Sequence, residues 1–315
     1  MLVKGILCMA VVGIIWTVFG FVMGKAPKKN LNVSMIMLVN SALCAFFCLC
    51  IGLSQGVPQV SLKVMLLTMS SLFLSGFINY FQLDLMSIAM KNGPNGIVWS
   101  LIQAGFIFPF TIGTVWLGSK GTCWNITGVA LIIVSLTMFG LAKDSNSRGK
   151  WKLVTMTAFV ITGCCQLLGT IPSYFKEAEP ITSSWRSLAS ASGMGVCAFL
   201  CMLVRERSGF PMTLKENLTR RALWMLCAPL LFVSMTENVL FYYPGMNMLA
   251  DAGMGAIAFP LAMGVSIIAF EIYTIGILHE TRNIMQVIAL LVMILGTVAL
   301  CFDGKACFSG AEVKP

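Results

Sequence analysis

The chain alternates between apolar runs of about twenty residues and short polar connections, and a run of that length covers the ~30 Å hydrocarbon layer as a helix. The runs predict ten membrane-spanning helices near 5–24, 32–54, 64–90, 95–117, 123–142, 152–174, 184–204, 223–248, 254–278 and 283–302. The connections carry Gly, Pro, Asn and Lys, as in Lys25 to Asn30, Gln55 to Pro58, Lys91 to Pro94 and Lys143 to Lys150. The longest, Arg205 to Ala222, is mostly charged and reads as solvated chain. Lys4 and the apolar run behind it are kept as a mature helix, because the run ends in a Lys cluster and not in a small-residue cleavage site.

Composition agrees with the pattern. Of 315 residues, 58% are hydrophobic and 10% charged, where a soluble domain carries about a quarter as charges. The mean hydropathy is +0.88. The net charge of +9 sits in the connections and not in an aromatic-interleaved patch, so no nucleic-acid partner is expected. A single His argues against a His-based zinc site or a Ser-His-Asp triad. Ten of the twelve cysteines, at 8, 44, 48, 50, 164, 165, 197, 201, 227 and 301, fall inside apolar runs and read as small buried hydrophobes. The Cys44, Cys48, Cys50 group lacks structural zinc spacing, so no metal is expected; Cys123 and Cys307 lie near helix ends. With ten helices both termini share one side. The connections on the opposite side hold 14 Lys and Arg against 7, which favours termini outside the cytoplasm.

The chain also resembles itself at an offset near 160 residues. Gly93 falls on Gly253, Ile97 on Ile257, Trp99 on Phe259 and Phe110 on Phe270; with a slip of one, Leu117-Gly118-Ser119 falls on Leu278-His279-Glu280. Five helices per half is an odd number, so the halves, 1–142 and 152–304, insert in opposite senses, and a polar tail follows at 305–315. Inverted repeats of this kind build many secondary transporters, with the substrate site between them near the midplane. The segment Ala89 to Gly96, the Leu117-Gly118 turn and Gly128 beyond it resemble the repeat of the drug/metabolite transporter superfamily (EamA-like). The opening run with Trp16, Phe19, Gly20 and Pro27-Lys28-Lys29 is similar to its rhamnose and glucose/ribose porter branches. The superfamily usually places an acid after the Leu-Gly turn; Glu280 keeps it and Ser119 departs from it. Many ten-helix members are expected to keep both termini in the cytoplasm, against the charge count.

Candidate chemistry lies in the polar residues within the spans, because each is costly there. Glu237 is about fourteen residues into helix eight, roughly 21 Å along it, and reads either as a binding and coupling carboxylate or as a protonated structural one. Its neighbour Asn238 is nearly repeat-equivalent to Asn79; two amides beside a carboxylate suit hydroxyl-rich ligands. Helix four carries Trp99, Gln103, Phe106 and Phe110 on one stripe, a face for a sugar ring or a flat amphipathic solute, or ordinary packing. Trp16 and Gln166 are weaker candidates of the same kind. Glu271 reads as a second carboxylate near the cavity or as a snorkelling one. Asp84 gates, caps or pairs with Lys91. No Lys or Arg is read deep in a span, which argues against phosphorylated substrates. Pro109, Pro229 and Pro260 are candidate kinks. Ala189, Gly193 and Cys197 form a close-packing face, and Trp124, Trp151, Trp185 and Trp224 read as interfacial.

The expectation from sequence is therefore an all-α, multi-pass protein, non-enzymatic and without cofactor. It moves a small solute, a neutral sugar or related metabolite with proton coupling, across a bacterial inner membrane. Export of amines, amino acids or drugs is the alternative, and an embedded enzyme a distant one. Association into a homodimer is compatible with the sequence.

Overall fold

Inside lipid the backbone must satisfy its own hydrogen bonds, which leaves helices or closed barrels. The computed structural model, described for residues 1–119, 121–141, 150–206, 210–302 and 306–308, takes the helical solution. Eight helices are long and apolar enough to cross a membrane: Leu2–Lys29, Val33–Gln55, Leu62–Asn92, Asn95–Val115, Trp151–Tyr174, Ser183–Arg205, Arg221–Asp251 and Gly255–Gly276. Two shorter apolar helices are Cys123–Phe139 and Ile284–Leu300. The chain is an all-α, multi-pass membrane protein.

In residue terms the helices are α1 (Leu2–Lys25), α2 (Val33–Gln55), α3 (Leu62–Asn92), α4 (Asn95–Gln103), α5 (Ile107–Val115), α6 (Cys123–Leu141), α7 (Trp151–Thr170), α8 (Ser183–Glu206), α9 (Phe210–Thr219), α10 (Arg221–Thr236), α11 (Tyr243–Asp251), α12 (Ala258–Gly276) and α13 (Ile284–Leu300). Two runs that read as continuous are interrupted. A 3₁₀ turn at Ala104–Phe106 separates α4 from α5, one turn before Pro109, whose missing N–H leaves the Gly105 carbonyl without its usual donor. A π-helical turn, Glu237–Tyr242, separates α10 from α11 just ahead of Pro244. The break in this run thus lies at Pro244, while Pro229 sits inside α10. Pro260 occupies the first turn of α12, where its missing N–H is not needed. The Arg205 to Ala222 connection is not simply solvated chain: it contains α9, whose Leu214 packs against the core.

Packing is set by close approaches. α2 lies on α8, α3 on α7 and α8, α1 on α12 and α11, and α6 on α13. A Cβ at Gly76 would run into the Ser190 carbonyl, and one at Gly193 into the Phe73 carbonyl, so α3 and α8 touch backbone to backbone. Between α6 and α13, a Cβ at Gly128 would lie 2.7 Å from the Gly296 carbonyl oxygen and one at Gly296 2.8 Å from that of Gly128. Two turns along, Ser135 Oγ donates to the Ala289 carbonyl at 2.6 Å. A short antiparallel ribbon pairs β1 (Gly121–Thr122) with β2 (Ala306–Phe308). The rest of the tail expected at 305–315 lies outside the described residues, as do Lys120, Lys143, Arg148, Arg207, Lys305 and Lys314 of the charge count.

The ten cysteines of the apolar runs are free thiols, although Cys50, Cys164 and Cys301 are exposed on the helix surface and not buried. Cys123, directly after β1, is disulfide-bonded. Trp124 and Trp224 are exposed, as an interfacial belt requires, but Trp151 is 4% exposed because its ring fills the space beside Gly93.

The two kinds of glycine predict different outcomes. Gly76→Val forces α3 off α8, and the detergent-extracted protein is expected to lose its monodisperse peak in size-exclusion chromatography. Gly118, left-handed at φ 72° with open space around it, should tolerate Ala at a cost of about 1–2 kcal/mol, read as a small drop in melting temperature.

Candidate functional site

All eight of the long apolar helices contribute residues to one cavity of about 160 Å³. Trp16, Asn79, Trp99, Gln103, Glu237 and Asn238, the six residues expected at a substrate site, all line it, and so does Gln166. Sequence reasoning missed Asn40, Ser41, Ser75, Gln82, Ser187, Ser190 and Tyr242 on the same walls. Most are small polar residues, which also serve as helix-packing residues and leave no distinct pattern.

Glu237 is 4% exposed and opens the π turn, which widens the helix and turns this side chain toward α1. Trp16 Nε1 donates a short hydrogen bond to its Oε1. Among the described residues no cation pairs with it. The Trp16 ring stacks on Phe259 (centroids 6.1 Å apart, 26° between planes) and tilts against Tyr242 at 6.1 Å. Trp99 lies on Phe270 at 4.9 Å, and both rings fit only because Gly20 has no side chain there. Asn238 turns its amide back onto the Ser234 carbonyl at 2.8 Å, while Asn40 reaches the Ser234 hydroxyl at 3.4 Å.

Polar satisfaction is uneven across the protein. Eight buried side-chain polar atoms lack a partner among the described residues, and five of them belong to residues of this cavity: Asn40 Oδ1, Ser41 Oγ, Trp99 Nε1, Gln103 Oε1 and Gln166 Oε1. An unmet buried group costs about 1–3 kcal/mol, so such groups concentrate only where something compensates.

Other candidates lie elsewhere. Phe106 and Phe110 are buried in packing beyond the cavity, so the stripe on this run contributes only Trp99 and Gln103. Glu271 does not reach the cavity: it is 1% exposed and paired with Arg282 at 2.8 Å, which the chain brings back from beyond α12. Asp84 pairs with Arg205 of α8 at 2.6 Å and not with Lys91, because α8 lies alongside α3. Buried cations also exist. Arg186 is 1% exposed, and its guanidinium donates to the carbonyls of Ile181 and Ala178, to Ser173 Oγ and to Asn247 Oδ1, with the Tyr243 ring 5.8 Å away. Its position two residues past a predicted helix start hid it.

Two turns outside the cavity hold the segments that form it. After α5, Ser119 N–H donates to the Gly113 carbonyl at 3.0 Å and Leu117 N–H to that of Ile112 at 3.1 Å, around left-handed Gly118. After α12, Glu280 N–H donates to the Thr274 carbonyl at 3.0 Å and Leu278 N–H to that of Tyr273 at 3.4 Å, around left-handed His279. Glu280 accepts from the Asn95 N–H (3.2 Å) and Gly96 N–H (3.5 Å) at the start of α4. Ser119 Oγ accepts from Ala256 N–H at 3.1 Å, in the 3₁₀ turn that leads into α12. Arg282 bridges Glu280 and Glu271; Ser119 instead meets the Tyr174 hydroxyl at 3.3 Å.

No protein-family model and no curated protein matches the chain. A solved structure described only as a crystal structure of a protein has a similar fold, with a TM-score of 0.61 at 11% identity, over 92% of this chain and 95% of that one.

The two ion pairs should differ in weight. Arg282→Ala leaves Glu271 buried without its cation, and a loss of about 3–5 kcal/mol is expected in detergent unfolding. Arg205→Ala also leaves a buried carboxylate, Asp84, but Arg205 is itself 48% exposed and its place is open to water, so a smaller loss than for Arg282→Ala is expected. Near-equal losses would contradict this ordering.

Proposed function

We propose that the chain is a secondary transporter of the drug/metabolite transporter type, built as two inverted five-helix repeats, that carries a small hydroxylated metabolite through the central cavity with a proton on Glu237. The observation that carries the reading is the concentration of unpartnered polar atoms on that cavity around one uncompensated carboxylate. Amides, an indole N–H and a hydroxyl offer donors and acceptors together, which a polyol or sugar ring matches group for group. Aromatic walls suit the apolar faces of such a ring. A volume of about 160 Å³ is below the ~300 Å³ and more of pockets for drug-sized ligands, and favours a metabolite over a drug.

The repeat reading rests on contacts that map onto themselves. An offset of 161 residues carries the Gly113, Gly118, Ser119 turn onto Thr274, His279, Glu280 with the same hydrogen bonds and the same left-handed residue. The same offset carries the Gly128–Gly296 approach onto the Ala289–Ser135 bond, read in the opposite order. Exchange of partners of that kind is what a two-fold relation between halves produces, and α6 with α13 then complete a set of ten spans. The two caps are exchanged as well: each turn supplies a cap to the start of the matching segment in the other half.

Two facts support termini outside the cytoplasm. Lys and Arg crowd the other side, and the disulfide at Cys123 lies on the side of the termini, where an oxidising compartment preserves it. A bacterial inner membrane provides both conditions.

The test is uptake by proteoliposomes. A sugar or polyol chosen by thermal stabilisation of the wild type should accumulate under an imposed inward proton gradient. Glu237→Gln should abolish accumulation yet retain exchange of labelled for unlabelled solute. Binding only of organic cations, lost in Glu237→Gln, would move the assignment to amine export.

A further inference from the structure

Beside the cavity Cys48 brings two other sulfur atoms close to its own, with the Ser187 hydroxyl next to it and Glu237 near Cys44. Cys44 and Cys48 lie one helical turn apart on the inner face of α2, with Sγ atoms 4.0 Å apart. Met235, in the last turn of α10, puts its Sδ 3.8 Å from Cys48 Sγ. Both thiols are buried, at 4% and 0% exposure, and Ala191, Leu188 and Leu231 enclose them. Cys50, the third cysteine of the sequence cluster, points outward and is exposed. The pair therefore gains its third sulfur from another helix and not from its own motif.

We propose that Cys44, Cys48 and Met235 form a binding site for a soft monovalent metal ion, Cu(I) or its analogue Ag(I). Thiolate and thioether sulfur together select such an ion, whereas zinc sites use thiolate, imidazole and carboxylate. Among the described residues no three His, Cys, Asp or Glu gather in a metal-binding group, so the Met thioether completes this set. The spacing fits on the two sides that meet at Cys48. An ion about 2.3 Å from three sulfurs at the corners of a triangle holds them about 4.0 Å apart, close to the separations of Cys48 Sγ from Cys44 Sγ and from Met235 Sδ. Cys44 also lines the cavity and gives the ion a path that the buried Cys48 lacks. Each thiol that ligates gives up its proton, so loading releases protons to solvent through that path. The site ties α2 to α10, helices that pack against one another, and its existence does not depend on what the cavity carries.

The test uses the full-length protein in detergent under anaerobic, reduced conditions, titrated with Cu(I) against a competing chelator. One tight equivalent is expected, with proton release and an X-ray absorption shell of three sulfurs. Cys44→Ser and Cys48→Ser should each weaken binding by about tenfold or more, the scale on which lost metal-site interactions act. Met235→Leu conserves volume, so it should weaken binding without lowering the melting temperature of the metal-free protein. Cys227→Ser, a buried thiol elsewhere on α10, should change nothing. Affinity unchanged in Met235→Leu and Cys44→Ser, a shell of nitrogen or oxygen, or binding that follows Cys197 and Cys201 instead would each overturn the site.

Discussion

Helix starts within a membrane protein expose backbone N–H groups that water cannot reach, and capping two of them ties this molecule together. The start of α4 is capped by Glu280 and the turn leading into α12 by Ser119, each from a distant part of the chain. Glu280 in turn needs Arg282, and Arg282 neutralises Glu271 inside α12. The sequence around 279 makes this arrangement reachable, because left-handed His279 reverses the chain and returns the guanidinium to the helix it has just left. Removing one member exposes a buried charge or an uncapped helix, so these residues stand or fall together.

The two capped ends are chemically unequal. One uses carboxylates and a guanidinium, the other a hydroxyl, a phenol and a backbone amide. Separating the ionic end requires charges to regain water before it becomes favourable, whereas the neutral end breaks only ordinary hydrogen bonds. In the proposed carrier this difference would bias which face opens, and it gives the contrast between Ser119 and Glu280 a physical role.

Much of this was legible in the sequence for identifiable reasons. Span positions follow from hydropathy, since lipid imposes length and apolarity together. Glu237, Trp16, Asn79, Trp99, Gln103 and Asn238 were legible because polar and aromatic residues in apolar runs are few. The partners of acids were not. Asp84 meets Arg205 and Glu271 meets Arg282 through helix packing and chain reversal, which one-dimensional spacing does not encode. The π turn escaped for a similar reason: Pro244 lies at the far end of the turn from Glu237, and hydropathy passes through it unchanged. The sulfur cluster needed a third ligand from α10, so the cysteine spacing alone pointed away from it.

Stability alone does not account for the cavity. Five unpartnered polar groups at about 1–3 kcal/mol each are a substantial local cost in a protein whose other buried polar residues mostly find partners. Apolar residues of similar size would remove that cost without disturbing α3 against α8 or α6 against α13, which depend on glycines elsewhere. The buried carboxylate makes the same point, since a single indole donor leaves it poorly compensated, while Glu271 shows that this fold can supply a cation to a buried acid. The frustration is therefore concentrated on one surface that the convergence of helices leaves open. A binding surface needs that condition: groups held rigidly by the scaffold, with hydrogen-bonding capacity left for a partner that arrives and departs.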